Sequence, residues 1–387
     1  MTTAALFKNI YGIDPEVLSN APGRLEILGN HTDYNEGFVL SAAVDAGTEM
    51  AFLKTEGSLC YIHSPAINDG IRSFDLNDIE QPADGKDWTN YIRGVVRELQ
   101  KRNFSIGAFK AAVTSTIPLS AGMSSSASIE MALVCGLCEL FNLNIPLKEK
   151  AEIGQACENN YIGANTGLLD QLTSLAGKKN QLLLSEYRDI TFQYTSFPAG
   201  LALVVVNSGV KHDLSLEYNE RREMCEEARD ELKKIYPEIR ALRDVSSQVL
   251  EEQKSFLSEN ACKRARHVVE ENERVKLAQT LLGENRLVEF GQVLFDSHKS
   301  SVKNFENSCE ELDFIVNAAA ESGLCLGARL SGGGFGGISI HLVKKENTED
   351  YLKYIKAAVQ QKYKFVPETY ICLSSDGASA KTLSVKK

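Results

Sequence analysis

IPLSAGMSSSASIEMALVCGL, residues 117–137, leads from an alternating apolar segment through Gly122 and a serine cluster into a run whose apolar residues have helical spacing. A helix start leaves backbone N–H groups unpaired and carries a partial positive charge. A glycine loop that brings its backbone close to such a start forms an anion site suited to phosphate. Gly122 permits the tight path, and the hydroxyls of Ser124, Ser125, Ser126 and Ser128 add donors or a metal ligand. A helix cap needs one serine; four beside a glycine point to phosphate binding. No lysine follows in the GxxxxGK[ST] manner, so a nucleotide here is held without the P-loop arrangement.

Outward from this loop the chain mixes strands and helices. FKAAVTSTIP (109–118) alternates like a half-buried strand, and WTNYIRGVVRELQKR (88–102) puts Tyr91, Ile92, Val95, Val96 and Leu99 on one helical stripe. Nearer the start, GFVLSAAVD, TEMAFLK and LCYIHS read as three short extended segments separated by polar or turn residues. On the other side, LALVVVNSGV (201–210) reads as a buried strand close to a domain boundary. SLEYNERREMCEEARDELKKIY (215–236) reads as a charged helix broken by Pro237. At 387 residues the chain exceeds the ~250–300 at which one core stops growing, so two domains are expected.

Composition narrows the partners. A formal charge of −10 excludes a broadly cationic surface for nucleic acid or an anionic membrane, leaving small molecules as the expected partners. Nine scattered cysteines suit reduced thiols in a cytoplasmic protein better than a secreted disulfide framework. Cys135 and Cys138, spaced CxxC, lie at helical positions with no second pair at ligand spacing and read as buried thiols. The N-terminus has no secretory pattern, and no window is apolar enough for a membrane span.

Three further stretches carry candidate chemistry. APGRLEILGNHTDYNEGFVL (21–40) crowds Arg24, Glu26, His31 and Asp33 into ten residues. In ENNYIGANTGLLDQLTSLAGK (158–178), Asp170 sits among leucines. It is either a structural partner of a buried arginine or the carboxylate that deprotonates a hydroxyl nucleophile, and pairing with Arg24 serves both. ARLSGGGFGGISIHLV (328–343) is either a glycine-rich hairpin turn or backbone running against the first loop or a bound phosphate; His341 within it reads as a packed histidine.

Together these motifs resemble the galactokinase branch of the GHMP small-molecule kinases. GRLEILGNHTDYNEG is similar to the galactokinase signature, PLSAGMSSSAS to the phosphate loop and LSGGGFGG to the third family motif, with GLLDQ and NSGVKHDLSLEY in the intervals. The resemblance implies a two-domain α+β GHMP kinase-like fold. Residues 1–205 form a domain like ribosomal protein S5 domain 2, and 206–387 a ferredoxin-like α/β sandwich. It implies ATP-dependent phosphorylation of the anomeric hydroxyl of a galactose-like sugar, with Mg2+, by a cytoplasmic monomer. By the match, Asp170 is the catalytic carboxylate and Arg24 its partner. Asn30, His31, Asp33, Gly167 and Tyr218 fall on sugar-binding positions. Gly122, Ser124, Ser125, Ser126, Ala127 and Ser128 belong to the ATP loop, and Ser126 with Glu158 to the Mg2+ site.

The chain departs from this pattern at Glu26, where the family usually has Asn, at Asn30, where it usually has Glu, and at Ser41, usually Pro. A neutral Asn30 is expected to remove negative charge from the hydroxymethyl end of the sugar site and to admit a C6-modified sugar such as galacturonic acid. A kinase for N-acetylgalactosamine is a further alternative. A sugar-sensing regulator with the same fold is the rival from another class, and the intact GMSSSAS loop with both Asp170 and Arg24 argues against it.

Overall fold

The computed structural model describes residues 1–67, 70–84, 87–118, 122–210 and 215–383, without the side chains of residues 215 and 216. Parts of two quoted motifs, residues 119–121 and 211–214, therefore lie outside the description.

The described strands are β1 Val17–Leu28, β2 Phe38–Lys54, β3 Leu59–His63, β4 Ile71–Asp75, β5 Phe109–Ser115, β6 Gln181–Glu186, β7 Thr191–Ser196, β8 Leu201–Asn207, β9 Cys325–Ser331, β10 Ile338–Lys344, β11 Thr369–Cys372 and β12 Ser379–Thr382. The first sheet has the order β12-β1-β2-β5-β3-β4, with β6 added to β2 and β7 to β6. The second has the order β11-β8-β10-β9, with antiparallel neighbours throughout. Numbered within itself this is 4-1-3-2, the ferredoxin-like arrangement of a split βαβ unit. One short loop joins β9 to β10, and the helix Thr348–Tyr363 joins β10 to β11.

The two extended segments expected at GFVLSAAVD and TEMAFLK are one strand, β2. Its start pairs with β6, its middle with β1 and its end with β5, so changes of partner replace the turn that the polar residues suggested. A register shift opposite Pro22 and Arg24 takes up the bend. The boundary expected at 205/206 falls inside β8. By sheet membership the second unit begins at Leu201, and β12 crosses back to pair with β1, Thr382 opposite Val17.

Three of the apolar clusters set the positions of the two sheets. The helices Thr89–Lys101, Ser125–Phe141, Leu147–Cys157 and Leu169–Ala176 pack on one face of the first sheet, burying Ile92, Val95, Val96 and Leu99 as their spacing predicts. The two sheets share a second core in which Leu25, Ile27 and Leu40 meet Leu203, Val205, Ile338 and Ile340. Helices Glu310–Glu321 and Thr348–Tyr363 cover the far face of the second sheet. His341 is fully buried there, bonded to Ser339 at 2.8 Å and the Tyr351 hydroxyl at 2.6 Å. Burial lowers its pKa to about 3, as expected of a packed neutral histidine. All nine cysteines are free, and Cys135 and Cys138 are buried on their helix. Among the described residues no helix is long and apolar enough to cross a membrane.

Candidate active site

Two cavities lie beside the end of β1. The larger, about 930 Å³, is lined by Arg24, Glu26, Asn30, His31, Asp33, Glu158, Gly167, Asp170 and Tyr218 among others. The smaller, about 360 Å³, lies between residues 122–126 and the glycine loop 332–337. Arg24, Ser126, Gly332 and Gly333 line both, so the cavities meet at these residues.

At this junction Arg24 grips Asp170 with two prongs, Nε to Oδ1 at 2.6 Å and Nη2 to Oδ2 at 2.9 Å, and its Nη1 donates to the Gly122 carbonyl at 3.0 Å. Burial alone would lower the Arg24 pKa, but the Asp170 charge outweighs it and the guanidinium is raised. Ser124 donates its hydroxyl to Asp170 Oδ2. It stands at the N-cap of the helix Ser125–Phe141 with φ 55° and makes no capping bond of its own. A hydroxyl that would ordinarily satisfy a helix-start N–H is thus spent on Asp170, and the first turn faces the small cavity without a side-chain cap. The Asp170 side chain remains 26% exposed, on the large cavity.

The second glycine cluster does both things its sequence allowed. It is the β9–β10 hairpin turn, and it also walls the small cavity opposite Gly122. A Cβ at Gly334, which has φ 87°, would lie 2.0 Å from the Asn307 carbonyl oxygen, so the close approach requires glycine.

Of the residues expected on the ATP loop, Gly122, Ser124, Ser125 and Ser126 line the small cavity. Ala127 and Ser128 are fully buried and line neither cavity. Ser128 instead donates to the Ala21 carbonyl at 2.7 Å and accepts from Thr48 N–H at 3.0 Å, tying the helix to β1 and β2. The helical period, which carries positions 127 and 128 to the sheet side, overrides the hydroxyl count. Ser128→Ala is therefore expected to cost about 1–3 kcal/mol of stability by leaving two buried backbone groups unpaired. The KM for ATP stays unchanged, measured by urea unfolding and by steady-state kinetics.

Ser126 and Glu158 come together, as the Mg2+ expectation requires. Glu158 begins a π-helical turn, Glu158–Ile162, and is bonded to the Ser126 hydroxyl and, at 2.6 Å, to Thr166 Oγ1. Burial and then the neighbouring Asp170 charge raise its pKa. Buried Glu130 beside it is raised further, by burial and Glu158, and its Oε1 has no partner. Glu158 and Asp170 on the large cavity, with Glu130 behind them, are a crowd of carboxyls that a cation would relieve. No group of three ligating side chains exists among the described residues.

The remaining expected residues build the other end of the large cavity. Gly29 (φ 101°) turns the chain off β1, since a Cβ there would lie 2.5 Å from the Phe38 carbonyl oxygen. Thr32 Oγ1 bonds the Gly29 and Phe38 carbonyls at 2.8 and 2.6 Å and closes the loop. His31, at φ 60°, stacks on Phe305 with ring centroids 4.3 Å apart and lies 5.0 Å from the Tyr218 ring. Its Nε2 faces the Gly333 carbonyl and its Nδ1 the Tyr34 hydroxyl, a pattern that assigns the proton to Nε2. Burial holds it neutral, with its pKa lowered to about 3. Asp33 is raised to about 6, mainly by burial. Gly167 lies against Asp33: a Cβ there would overlap the carboxylate at 1.6 Å.

Asn30 is 1% exposed and heavily committed. Its Nδ2 donates to Glu26 Oε1 at 3.0 Å and to the Gly332 carbonyl at 2.8 Å, and its Oδ1 accepts from Asn307 at 2.9 Å. Asn30 does not leave this end of the cavity without a carboxyl. The Glu26 carboxyl, also on the cavity, stands beside it, so the carboxyl has moved from one position to its neighbour. Burial raises the Glu26 pKa against the pull of Arg329, whose Nη1 bonds Oε1 at 2.8 Å.

Several residues that position this loop escaped the sequence reading. Glu271, fully buried on the helix Glu259–Gly283, accepts from the Gly29 and Asn30 N–H groups at 3.0 and 3.4 Å and from Ser297 at 2.7 Å, and pairs with Arg274 at 2.6 Å. Burial would raise this carboxyl, but Arg274 and Arg329 pull it well below the usual range. His267 Nε2 meets the Asn30 carbonyl at 3.2 Å, and Asn272 Oδ1 accepts from Phe38 N–H at 2.9 Å. In sequence this helix is dense in charged residues, and no motif singles out Glu271 among them. Trp88, Tyr91 and Tyr161 also line the large cavity and form an aromatic wall that no motif marked.

Comparison with known proteins agrees with this geometry. The family model "Galactokinase galactose-binding signature" matches residues 5–54, "GHMP kinases N terminal domain" matches 90–178 and "GHMP kinases C terminal" matches 278–364. A galactokinase of Glaesserella parasuis is 40% identical over 379 residues, 96% of each chain. One of Roseiflexus sp. is 35% identical over 372 residues, 96% of this chain and 94% of that one. The crystal structure of Lactococcus lactis galactokinase complexed with galactose superposes with a TM-score of 0.93 at 31% identity, covering 97% of this chain and 98% of that one. A mevalonate kinase, at 18% identity and a TM-score of 0.64, shares the fold over 93% of this chain and 99% of its own. Two meeting cavities, a signature loop at one and a serine-lined helix start at the other, thus coincide with near full-length similarity, and the chain belongs to the galactokinase branch of the GHMP kinases.

Proposed function

We propose that this chain transfers the γ-phosphoryl group of ATP to the anomeric hydroxyl of galactose, giving galactose 1-phosphate and ADP. The observation that carries this reading is the placement of Asp170, held by Arg24 and Ser124 where the two cavities meet. In this reading the sugar occupies the pocket of His31, Asp33, Gly167 and Tyr218, and the triphosphate lies against the uncapped start of the helix Ser125–Phe141. The aromatic wall of Trp88, Tyr91 and Tyr161 suits the base.

Asp170 orients the C1 hydroxyl and takes its proton as the new P–O bond forms and the bond to the ADP oxygen breaks; the proton then passes to solvent. Arg24, between Asp170 and the Gly122 carbonyl, places fixed positive charge beside the transferring group. Phosphoryl transfer depends mainly on such positioning and charge neutralisation. Ser126 and Glu158 would hold Mg2+, which supplies further neutralisation of phosphate charge. Nine free thiols support a cytoplasmic setting.

A coupled ADP-release assay over a panel of hexoses tests the reading, with galactose-dependent turnover expected and its absence refuting it. A pH profile tests the sugar pocket. Asp33, its pKa raised to about 6, gains a proton as pH falls through that value and loses its full strength as an acceptor for sugar hydroxyls. His31, neutral down to about pH 3, contributes nothing over this range. The kcat/KM for the sugar is expected to fall on the acid side with a midpoint near pH 6. In Asp33→Asn the residual activity loses that limb.

A further inference from the structure

The Glu26 carboxylate stands on the cavity with one oxygen used and one open. Between Arg24 and Glu26 the pairing of β1 with β2 is regular, Arg24 opposite Ala43 and Glu26 opposite Ser41, so both side chains leave the same face of the strand. Leu25 and Ile27 leave the other face and enter the core between the sheets. Glu26 is therefore displaced from Arg24, and from the Asp170 that Arg24 holds, by about 7 Å along the strand, roughly the reach of a hexose across its ring.

At that place the available hydrogen-bonding capacity is restricted. Asn30 has both amide hydrogens committed, to Glu26 Oε1 and the Gly332 carbonyl, and it offers the ligand no donor. Glu26 Oε1 accepts from Asn30 and from Arg329, which is fully buried. Glu26 Oε2 has no partner among the described residues and is not among the occluded polar atoms, while the residue itself is 3% exposed and lines the cavity. A carboxylate braced from behind by a guanidinium and an amide, with one oxygen facing a cavity, is a fixed acceptor.

We infer that Glu26 decides which sugars the enzyme takes, by accepting a hydrogen bond through Oε2 from the 6-hydroxyl at the end of the sugar remote from C1. The 6-hydroxyl is carried on a freely rotating exocyclic carbon and can turn to meet an acceptor that cannot move. A 6-deoxy sugar leaves Oε2 desolvated and unpaired. A 6-carboxylate brings a second negative charge against it. Asn30 and Arg329 act as positioning residues for this carboxylate. The inference rests on the reading of the cavity as a galactose kinase site.

The test is kcat/KM for galactose, 6-deoxygalactose and galacturonate in the wild type, Glu26→Gln and Glu26→Asp. Each comparison is a ratio within one protein and so does not depend on how much of it folds. Glu26→Gln keeps the oxygen that Arg329 and Asn30 bind and presents an amide where Oε2 stood; Glu26→Asp keeps the charge but withdraws it from the cavity. The wild type is expected to favour galactose over either analogue by about 100-fold or more, as a site built to bond a hydroxyl does. In Glu26→Gln the preference over galacturonate is expected to shrink by about 100-fold, and in both variants the preference over 6-deoxygalactose by about 10-fold. Active variants with unchanged ratios, or a wild type equally fast on galacturonate, overturn the assignment of Glu26 and leave the kinase reading standing. A wild type that does not turn over galactose at all removes both.

Discussion

Asp170→Asn is expected to lower kcat by about 10²- to 10⁴-fold, the usual loss for a positioned general base, while ATP still binds. The structure gives Asp170 two tasks, and the substitution separates them. As the partner of Arg24 it neutralises a guanidinium whose side chain is only 7% exposed, and breaking such a pair destabilises the fold. Breaking fully buried pairs costs about 3–5 kcal/mol, and the exposure of Asp170 on the cavity places this one below that range. As the base it acts only in the transition state, so its loss appears in kcat and not in nucleotide affinity. Thermal unfolding, nucleotide binding by calorimetry and ADP release on one preparation distinguish the two tasks. Normal turnover in a less stable protein would reduce Asp170 to a structural partner and end the mechanism proposed here.

Glu271→Ala carries the second large effect, on stability and sugar affinity together. It removes the shared acceptor of two loop N–H groups and Ser297 and leaves Arg274 with only its longer contact to Glu270, 3.4 Å away. Uncompensated charge and orphaned donors at a fully buried position cost about 3–5 kcal/mol. The loop that presents Asn30 and His31 then loses its anchor, so the KM for galactose rises with it. Glu271→Gln keeps the shape and one acceptor and is expected to recover part of the sugar affinity but little of the charge pairing. The pH dependence has a definite sign. The folded carboxyl is depressed below its ordinary 4.5, so its contribution is fully present above that pH and is lost as pH falls below it. Wild type and Glu271→Gln therefore converge in urea stability in acid. A constant difference down to pH 3 would show that the charge of Glu271 contributes nothing.

Most of the site's content was legible because its chemistry is local in sequence. The phosphate loop needs only a glycine, hydroxyls and a helix start within a few residues. The signature loop is also local, closed by Thr32 on the Gly29 and Phe38 carbonyls within ten positions, but that closure became visible only in the fold. Ser128 shows where such counting stops: a fourth hydroxyl in the cluster satisfies β1 and β2, because one further step around the helix points it at the sheet. Asn30 shows the same limit in charge. It is neutral, but the Glu26 carboxyl four residues earlier stands beside it, and only the bond between them shows this.

The sequence by itself determined the family, the fold class and the two glycine loops, since these rest on residue type and short spacing; the bond between Arg24 and Asp170, 146 positions apart, took the fold to bring together. The tertiary structure alone decided which charged residues are buried. Glu271, His267 and Arg329 come from segments more than 200 residues away from the loop they hold. No local periodicity distinguishes a helix face that meets water from one that meets another loop. Desolvation, which makes Glu271 an anchor and Glu26 a fixed acceptor, is a property of what packs above a residue and appears only when the chain is folded.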